Sequence, residues 1–422
     1  MSTDQFTIDR SWSEAMLRFR FAGQCTLLIA CIGWGAWFYP FDDLLDRSGT
    51  PLGGDFIMLK VAGQVVAERA VETLYDDQQN QLRSSAMIAR LDPQESWPFR
   101  YPPTVAACMA PLARLPFAPS FAIFFSIQCG LLAVSLALLH RQSSPLRSYR
   151  GWLWAIAGAP IVIEVLIGGQ SSLLALTCLV SAIALLRHSQ QRFDALAGGV
   201  LALALYKPNV LGLLIVGLLI YRPRMILGFM PVAICGALVA IKICGYRCML
   251  EYLQLGTQLA SSQWSLETPF WKVHGLAPYF QVASPLHGKL LCASVGAACS
   301  LALAWGLRRR QLSIPGGLSL LIVCNALFNP YVPIYDLVLL IGALVLACEA
   351  PEFTRGRLRN PWLLQVLAAG LFLGPHLSQL VAPTLGWQPF PLGLLVLLLC
   401  GLFQAIQSAF LPEPRLSNMC TV

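Results

Sequence analysis

Apolar runs of membrane-crossing length, separated by short arginine clusters, constrain this chain more than any other feature. A helix needs about 20 apolar residues to cross the hydrocarbon core of a bilayer. Such runs predict spans over roughly 22–40, 117–140, 150–168, 171–187, 193–206, 208–221, 225–244, 287–307, 312–328, 334–349, 361–381 and 390–411. The pieces 193–206 and 208–221 are short and divided by Lys207-Pro208-Asn209, which predicts a hairpin that does not fully cross. The run 102–115 is also short and proline-bounded, and reads as a half-buried segment. Of the 422 residues, 56% are apolar and 12% charged, against roughly 25% charged in soluble domains. A water-soluble globule needs a polar skin that this chain cannot supply, and a disordered chain would be far more polar. The expected fold class is an all-α polytopic membrane protein with about 12 transmembrane or half-membrane helices.

Orientation follows from the basic residues, which collect on the cytoplasmic side of short loops. With a cytoplasmic N-terminus, inner loops hold Arg10, Arg18 and Arg20; Arg141, Arg147 and Arg150; Arg187 and Arg192; Arg222 and Arg224; Arg308, Arg309 and Arg310; Arg355, Arg357 and Arg359; and Arg415. The net charge of +8 is therefore a mark of topology, and no nucleic-acid partner is expected. The first apolar run lacks an Ala-x-Ala cleavage pattern and is expected to remain as an anchor. The chain divides into a cytoplasmic N-terminal segment 1–21, a membrane core 22–350, and C-terminal helices with a cytoplasmic tail over 351–422.

Two long connections, 41–116 and 245–286, fall on the outer face. Within 55–90, Phe56, Leu59, Val66 and Leu74 interleave with Lys60, Gln64, Glu68 and Arg69, which predicts helices lying flat in the interface. The second loop carries Tyr252, Trp264, Trp271 and Tyr279, and such aromatics favour the headgroup level. No phosphate-binding P-loop is present, so ATP is not read as the energy source. The cysteines lie mostly in apolar runs, where they act as small hydrophobes. Cys244 and Cys248, four apart, leave a disulfide open. His274, His287 and His376 lack metal-ligand spacing and read as interfacial side chains.

Ionisable groups at a membrane edge are costly and are functional suspects by default. Five polar signals fall on the outer side: Gly53-Gly54-Asp55; Arg100-Tyr101-Pro102-Pro103; Glu164 with Gly168-Gly169-Gln170; Lys207-Pro208-Asn209; and Asn329-Pro330-Tyr331 through Tyr335-Asp336. Each has a plainer reading. Asp55 and Asp336 suit helix caps. Tyr101-Pro102-Pro103 suits a stiff turn. Gly168-Gly169-Gln170 suits a tight helix connection. Lys207 suits a snorkelling lysine, and Glu164 a protonated hydrogen-bonding group. Their shared side is the reason to read them together.

The ordered set resembles glycosyltransferase family 87, whose members include polyprenol-phosphate-mannose-dependent mannosyltransferases. The matching strings are Gly54-Asp55-Phe56, Ala62-Gly63, Leu74-Tyr75-Asp76, Phe99-Arg100-Tyr101-Pro102-Pro103, Gly169-Gln170-Ser171, Lys207-Pro208-Asn209 and Pro330-Tyr331 with Tyr335-Asp336-Leu337. They cover about residues 50–345. The resemblance implies a GT-C-type glycosyltransferase architecture, a polyprenyl-phosphate-sugar donor, and Asp55 as catalytic base. The phosphatidylinositol-mannoside branch of that family shows histidine near the late motif, where this chain has Tyr331, Tyr335 and Asp336. That departure leaves open whether the acceptor is a lipid or a glycan.

The chemistry implied by the resemblance is an inverting single displacement that needs one base. A cation should meet the departing phosphate; Lys207 is the first candidate and Arg100 the second. Tyr101, Glu164, Gln170, Asn209, Tyr331, Tyr335 and Asp336 are the candidate substrate-binding residues. No acidic pair has divalent-metal spacing, so chemistry without metal or cofactor is expected. Three other classes compete, of which a non-catalytic scaffold gives no reason for five outer-facing polar motifs in this order. A secondary transporter would explain broken helices, although the halves show no hydropathy symmetry. An outer-leaflet polysaccharide polymerase or ligase would lean on arginine in the late loop, where only Arg247 and Lys272 are cationic.

Overall fold

The structure is a computed structural model. It describes residues 10–38, 44–47, 49–88, 91–92, 97–143, 147, 151–188, 190–261, 272–280, 285–350 and 361–410. Trp264, Trp271, Arg150, Arg355, Arg357, Arg359 and Arg415, which entered the topology reading, lie outside the described residues, as do 1–9 and 411–422.

The described chain is helical. A long first helix, α1 (Arg10–Phe38), is followed by three short ones, α2 (Phe56–Ala67), α3 (Asp77–Met87) and α4 (Pro103–Ala113). Then come α5 (Phe117–Gln142), α6 (Trp152–Ala157), α7 (Pro160–Ile167), α8 (Ser172–Leu186), α9 (Gln191–Ala202), α10 (Pro208–Tyr221), α11 (Ile226–Cys244) and α12 (Tyr246–Ser261). The last five are α13 (Pro285–Arg308), α14 (Ile314–Phe328), α15 (Leu340–Ala347), α16 (Pro361–Leu385) and α17 (Pro389–Phe410).

Among the described residues, four helical stretches are long and apolar enough to cross a membrane: Leu17–Ala36, Phe117–Gln142, Pro223–Cys244 and Leu286–Arg308. Many of the other expected spans are shorter helices, and proline explains several of the breaks. Proline removes a backbone donor and clashes with the preceding turn. Pro160 opens α7 and divides the expected span 150–168 into two pieces. Pro208 opens α10. After Pro333 the chain winds as a 3-10 turn over Ile334–Leu339 before α15 begins. At 1.5 Å per residue, the 14 residues of α10 extend only about 21 Å. Helices α9 and α10 are joined through Lys207, and Arg222 and Asp194 at their other ends lie 4.0 Å apart, but α9 packs chiefly on α11 and α8, and α10 on α13. Leu28, Ile29 and Ile32 on α1, and Leu227, Ile234 and Leu238 on α11, are exposed. On helices of this composition such faces are lipid-contacting, and the protein is a membrane protein.

Two apolar clusters divide the molecule. The larger joins α5 through α11 with α13, α14, α15 and α17. The smaller, here the α2–α4 lobe, packs Phe56, Leu59, Val65, Leu74, Phe99 and Met109 against Phe117, Phe121 and Phe124 at the start of α5. Phe56 lies 5.1–5.5 Å, centroid to centroid, from each of those three rings.

The lobe corrects one sequence expectation. Helix α2 does not carry an exposed polar face along its length; residues 56–63 are buried at the centre of the lobe. Lys60 is 3% exposed. Its ammonium donates to the carbonyls of Leu115 at 2.6 Å, Ala113 at 3.3 Å and Leu112 at 3.5 Å. These are orphan acceptors at the C-terminal end of α4, where the helix dipole favours a cation. The amphipathic spacing misled because a lysine with three donors can be satisfied by backbone alone.

His274 is a second correction. It is fully buried, not interfacial. Its backbone N–H donates to the Val332 carbonyl at 2.8 Å, and its ring nitrogen Nε2 lies 3.3 Å from the Pro375 carbonyl. Burial holds its pKa down at about 4, so it is a neutral ring joining the 272–276 strap to α16. His376 is half-buried on α16, with Nε2 4.0 Å from a Glu164 carboxylate oxygen. Cys244 and Cys248 are buried in the lobe as free thiols.

Candidate active site

The site is assembled where the α2–α4 lobe meets the bundle. Two backbone turns meet there. Gly53 and Gly54 have φ of +77° and +48°, and Gly169 has φ of +63°, a region that favours glycine. A Cβ on Gly169 would lie 2.0 Å from the Gly53 carbonyl oxygen, so the two turns touch through bare backbone. The Asp55 N–H then donates to the Gly168 carbonyl at 3.1 Å. This bond ties the entrance of α2 to the connection between α7 and α8.

That clasp sets the direction of the Asp55 side chain. Asp55 occupies the N-cap position of α2, but with helical φ and ψ of −67° and −5° and no capping hydrogen bond. An aspartate cap contributes typically about 1 kcal/mol, and Asp55 forgoes it. Its Oδ2 instead accepts a hydrogen bond from Gln170 Nε2. The residue lies deep among neighbouring atoms yet keeps part of its surface open. Burial raises its pKa above the ordinary aspartate value, opposed by the Gln170 hydrogen bond and by the charges of Lys207 and Lys272. The helix-cap reading of Asp55 is thereby excluded in this structure.

A second polar group sits on the bundle side. Asp336 is 3% exposed and Lys207 is 6% exposed. Asp336 Oδ1 accepts from Lys207 Nζ at 2.7 Å and from Ser172 Oγ at 2.5 Å. Neither plainer reading survives: Lys207 does not snorkel, and Asp336 lies inside the 3-10 turn, whose N-cap is Pro333. The Lys207 ammonium also lies 4.5 Å from the ring centroid of Tyr335 and 5.9 Å from that of Tyr101, within cation–π range. Tyr206 donates to the Ser171 carbonyl at 2.6 Å, holding the approach to Lys207 against the start of α8.

The asparagines brace this arrangement. Asn325 on α14 reaches into α10, accepting from the Leu214 N–H at 3.2 Å and donating to the Val210 carbonyl at 2.7 Å. Asn329 donates to the Asn209 carbonyl and accepts from the Tyr331 N–H at 3.1 Å. The break at Lys207-Pro208-Asn209 is thus fastened to the segment that carries Tyr331, Tyr335 and Asp336. Burial pushes the Tyr331 phenol up to about 12, so it stays a protonated donor.

Two buried acceptors here have no partner among the described residues: Gln170 Oε1 and Asp336 Oδ2. Buried acceptors are normally satisfied. A ligand rich in hydroxyl donors is what these two atoms would take.

Other expected residues sit differently. Arg100 is held by Asp77 in a two-pronged pair at 2.6 and 3.1 Å. Asn209 exposes its side chain and contributes its carbonyl. Glu164 is about half exposed on α7, with its charge acting on the same region as Asp55. A separate cavity of about 550 Å³, lined by Lys60, Gln64, Glu68 and Arg114, lies on another face of α2 and does not include Asp55. Sequence reasoning missed Ser172 and Tyr206, although each adjoins a motif it had marked. It also gave no part in the site to Lys272, which stands alone in the late loop without a motif around it.

The family model of glycosyltransferase family 87 matches residues 99–332. The matched stretch includes Arg100, Tyr101, Gln170 and Lys207, while Asp55, Tyr335 and Asp336 flank it. No curated protein and no solved structure matches the chain.

Proposed function

Because the chain belongs to glycosyltransferase family 87, we propose that it moves a mannose-like hexose from a polyprenyl-phosphate donor to a lipid or glycan hydroxyl. The reaction is an inverting single displacement on the extracytoplasmic side of a multi-pass, GT-C-type protein whose termini are cytoplasmic. The basic inner loops support that orientation.

The observation that carries the reading is the Asp55 carboxylate, diverted from capping its helix and held by Gln170 beside open surface. A general base must lie within hydrogen-bond reach of the proton it takes and be ionised when it acts. Asp55 takes the acceptor proton as the acceptor oxygen attacks the anomeric carbon. The bond from that carbon to the phosphate oxygen breaks, and the phosphate leaves with the electron pair. Gln170 Oε1 and Asp336 Oδ2 accept hydrogen bonds from sugar hydroxyls, and Tyr331 donates one. Lys207 gives one of its three N–H bonds to Asp336 and keeps the others for hydroxyls of the hexose. Tyr101 and Tyr335 flank that ammonium and form an aromatic wall for the pyranose.

The test is transfer by the purified protein in bilayers, with radiolabelled polyprenyl-phosphate hexoses and nucleotide hexoses offered separately. Label should pass to membrane lipid or glycan from the lipid-phosphate donor and not from the nucleotide sugar. Transfer from nucleotide sugars alone would overturn the donor assignment.

A further inference from the structure

We propose that Lys272 is the cation that meets the phosphate leaving from the sugar donor. The inference rests on the glycosyl-transfer reading above and adds a catalytic residue to it.

The cations near the lobe differ in what already holds them. Lys60 gives its donors to three carbonyls of α4 and the turn after it. Arg100 is bound by the Asp77 carboxylate. Lys207 is buried against Asp336 at 2.7 Å. A departing phosphate gains negative charge, and a neutralised pair answers that gain poorly, because Asp336 repels what Lys207 attracts. Lys272 is exposed and has no carboxylate partner among the described residues.

Its backbone is positioned even though its side chain is open. Val273 pairs with Pro333 in an antiparallel bridge, and the His274 N–H bonds the Val332 carbonyl. Lys272 is therefore fixed alongside the segment that carries Tyr331 and Tyr335. Its charge reaches Asp55, yet the two form no ion pair. In-line displacement sets the base and the leaving group on opposite faces of the sugar ring, so the cation that meets the phosphate must not be paired with the base.

In the step itself, the anomeric carbon exchanges its phosphate oxygen for the acceptor oxygen. The acceptor proton passes to Asp55, and polyprenyl phosphate departs with the bonding pair onto Lys272. No other reactant is needed.

The experiment measures binding of polyprenyl phosphate to the full-length protein in nanodiscs, together with transfer from the lipid-phosphate hexose. Lys272→Ala should weaken polyprenyl phosphate binding roughly tenfold or more, as expected for loss of a charge-assisted contact. It should leave acceptor KM unchanged, and Lys272→Arg should restore most of the binding. Asp55→Asn should bind polyprenyl phosphate like the wild type while failing to transfer. Lys272→Gln, which keeps most of the stem, serves as the comparison if alanine lowers the unfolding midpoint. Wild-type binding and transfer in both the alanine and glutamine variants would overturn the role of Lys272 and leave the glycosyltransferase reading standing. A wild-type protein that neither binds polyprenyl phosphate nor uses lipid-phosphate sugars would overturn both.

Discussion

The α2–α4 lobe and the helix bundle each bring one carboxylate to the same place, and the two are treated in opposite ways. Asp55, from the lobe, is partly open, touches an amide side chain and has no counter-ion in contact among the described residues. Asp336, from the bundle, is enclosed, neutralised by Lys207 and hydrogen-bonded by Ser172. A buried charge with a tight partner contributes to assembly, because losing either partner strands the other. A carboxylate left without such a partner is free to take a proton. On the proposed reading, the lobe supplies the base, and the bundle supplies the buried pair against which the substrate is held.

The strongest way to break that contrast is Asp55→Asn. Transfer should fall by about 10²- to 10⁴-fold, the usual worth of a general base. Insertion and the unfolding midpoint in detergent should stay at wild-type values. If Asp336→Asn instead abolishes transfer with full stability, and Asp55→Asn does not, the roles are reversed.

The second test bears on stability. Asp336→Asn or Lys207→Met alone should destabilise by about 3–5 kcal/mol, as for other buried pairs deprived of one member. The double change Lys207→Met with Asp336→Leu should recover much of that loss, read as the unfolding midpoint, without recovering transfer.

A smaller and sharper effect lies in the pH profile. Burial raises the Asp55 pKa, so the base form is lost at a higher pH than for an ordinary aspartate. The acidic limb of kcat/KM should therefore lie above that of an ordinary aspartate. The groups acting on Asp55 are Gln170, Lys207 and Lys272, all of which favour its ionised form. The charge of Glu164 acts against it. Lys272→Gln should move the limb further up, and Glu164→Gln should move it down. A limb that ignores both changes would detach it from Asp55.

Much of this site is legible in the sequence, for a physical reason. Glycine pairs, prolines and lone charges in an oily chain are expensive or conformationally demanding, so Asp55, Gln170, Lys207 and Asp336 stand out singly. What they do to each other is not legible. Lys207 and Asp336 are 129 residues apart, and nothing local distinguishes a lysine that holds a carboxylate from one that snorkels. The breaks inside the expected spans are illegible for a related reason. Hydropathy sees apolar length, whereas Pro160, Pro208 and Pro333 cut apolar stretches without making them less apolar. Lys272 is visible in the sequence as a late-loop cation, but its placement beside Tyr331 and Tyr335 comes from the bridge between Val273 and Pro333, a tertiary event.

The fastening of Lys60 carries a consequence for biogenesis. Its ammonium is hydrogen-bonded by the carbonyls of residues 52 to 55 positions later in the chain, and a charge has no cheap lodging in the interior before those carbonyls exist. Helix α2 must wait at the water boundary until the ribosome has delivered the chain past Leu115 and α4 has wound. On that argument Asp55, at the entrance of α2, reaches its place only once α4 has formed.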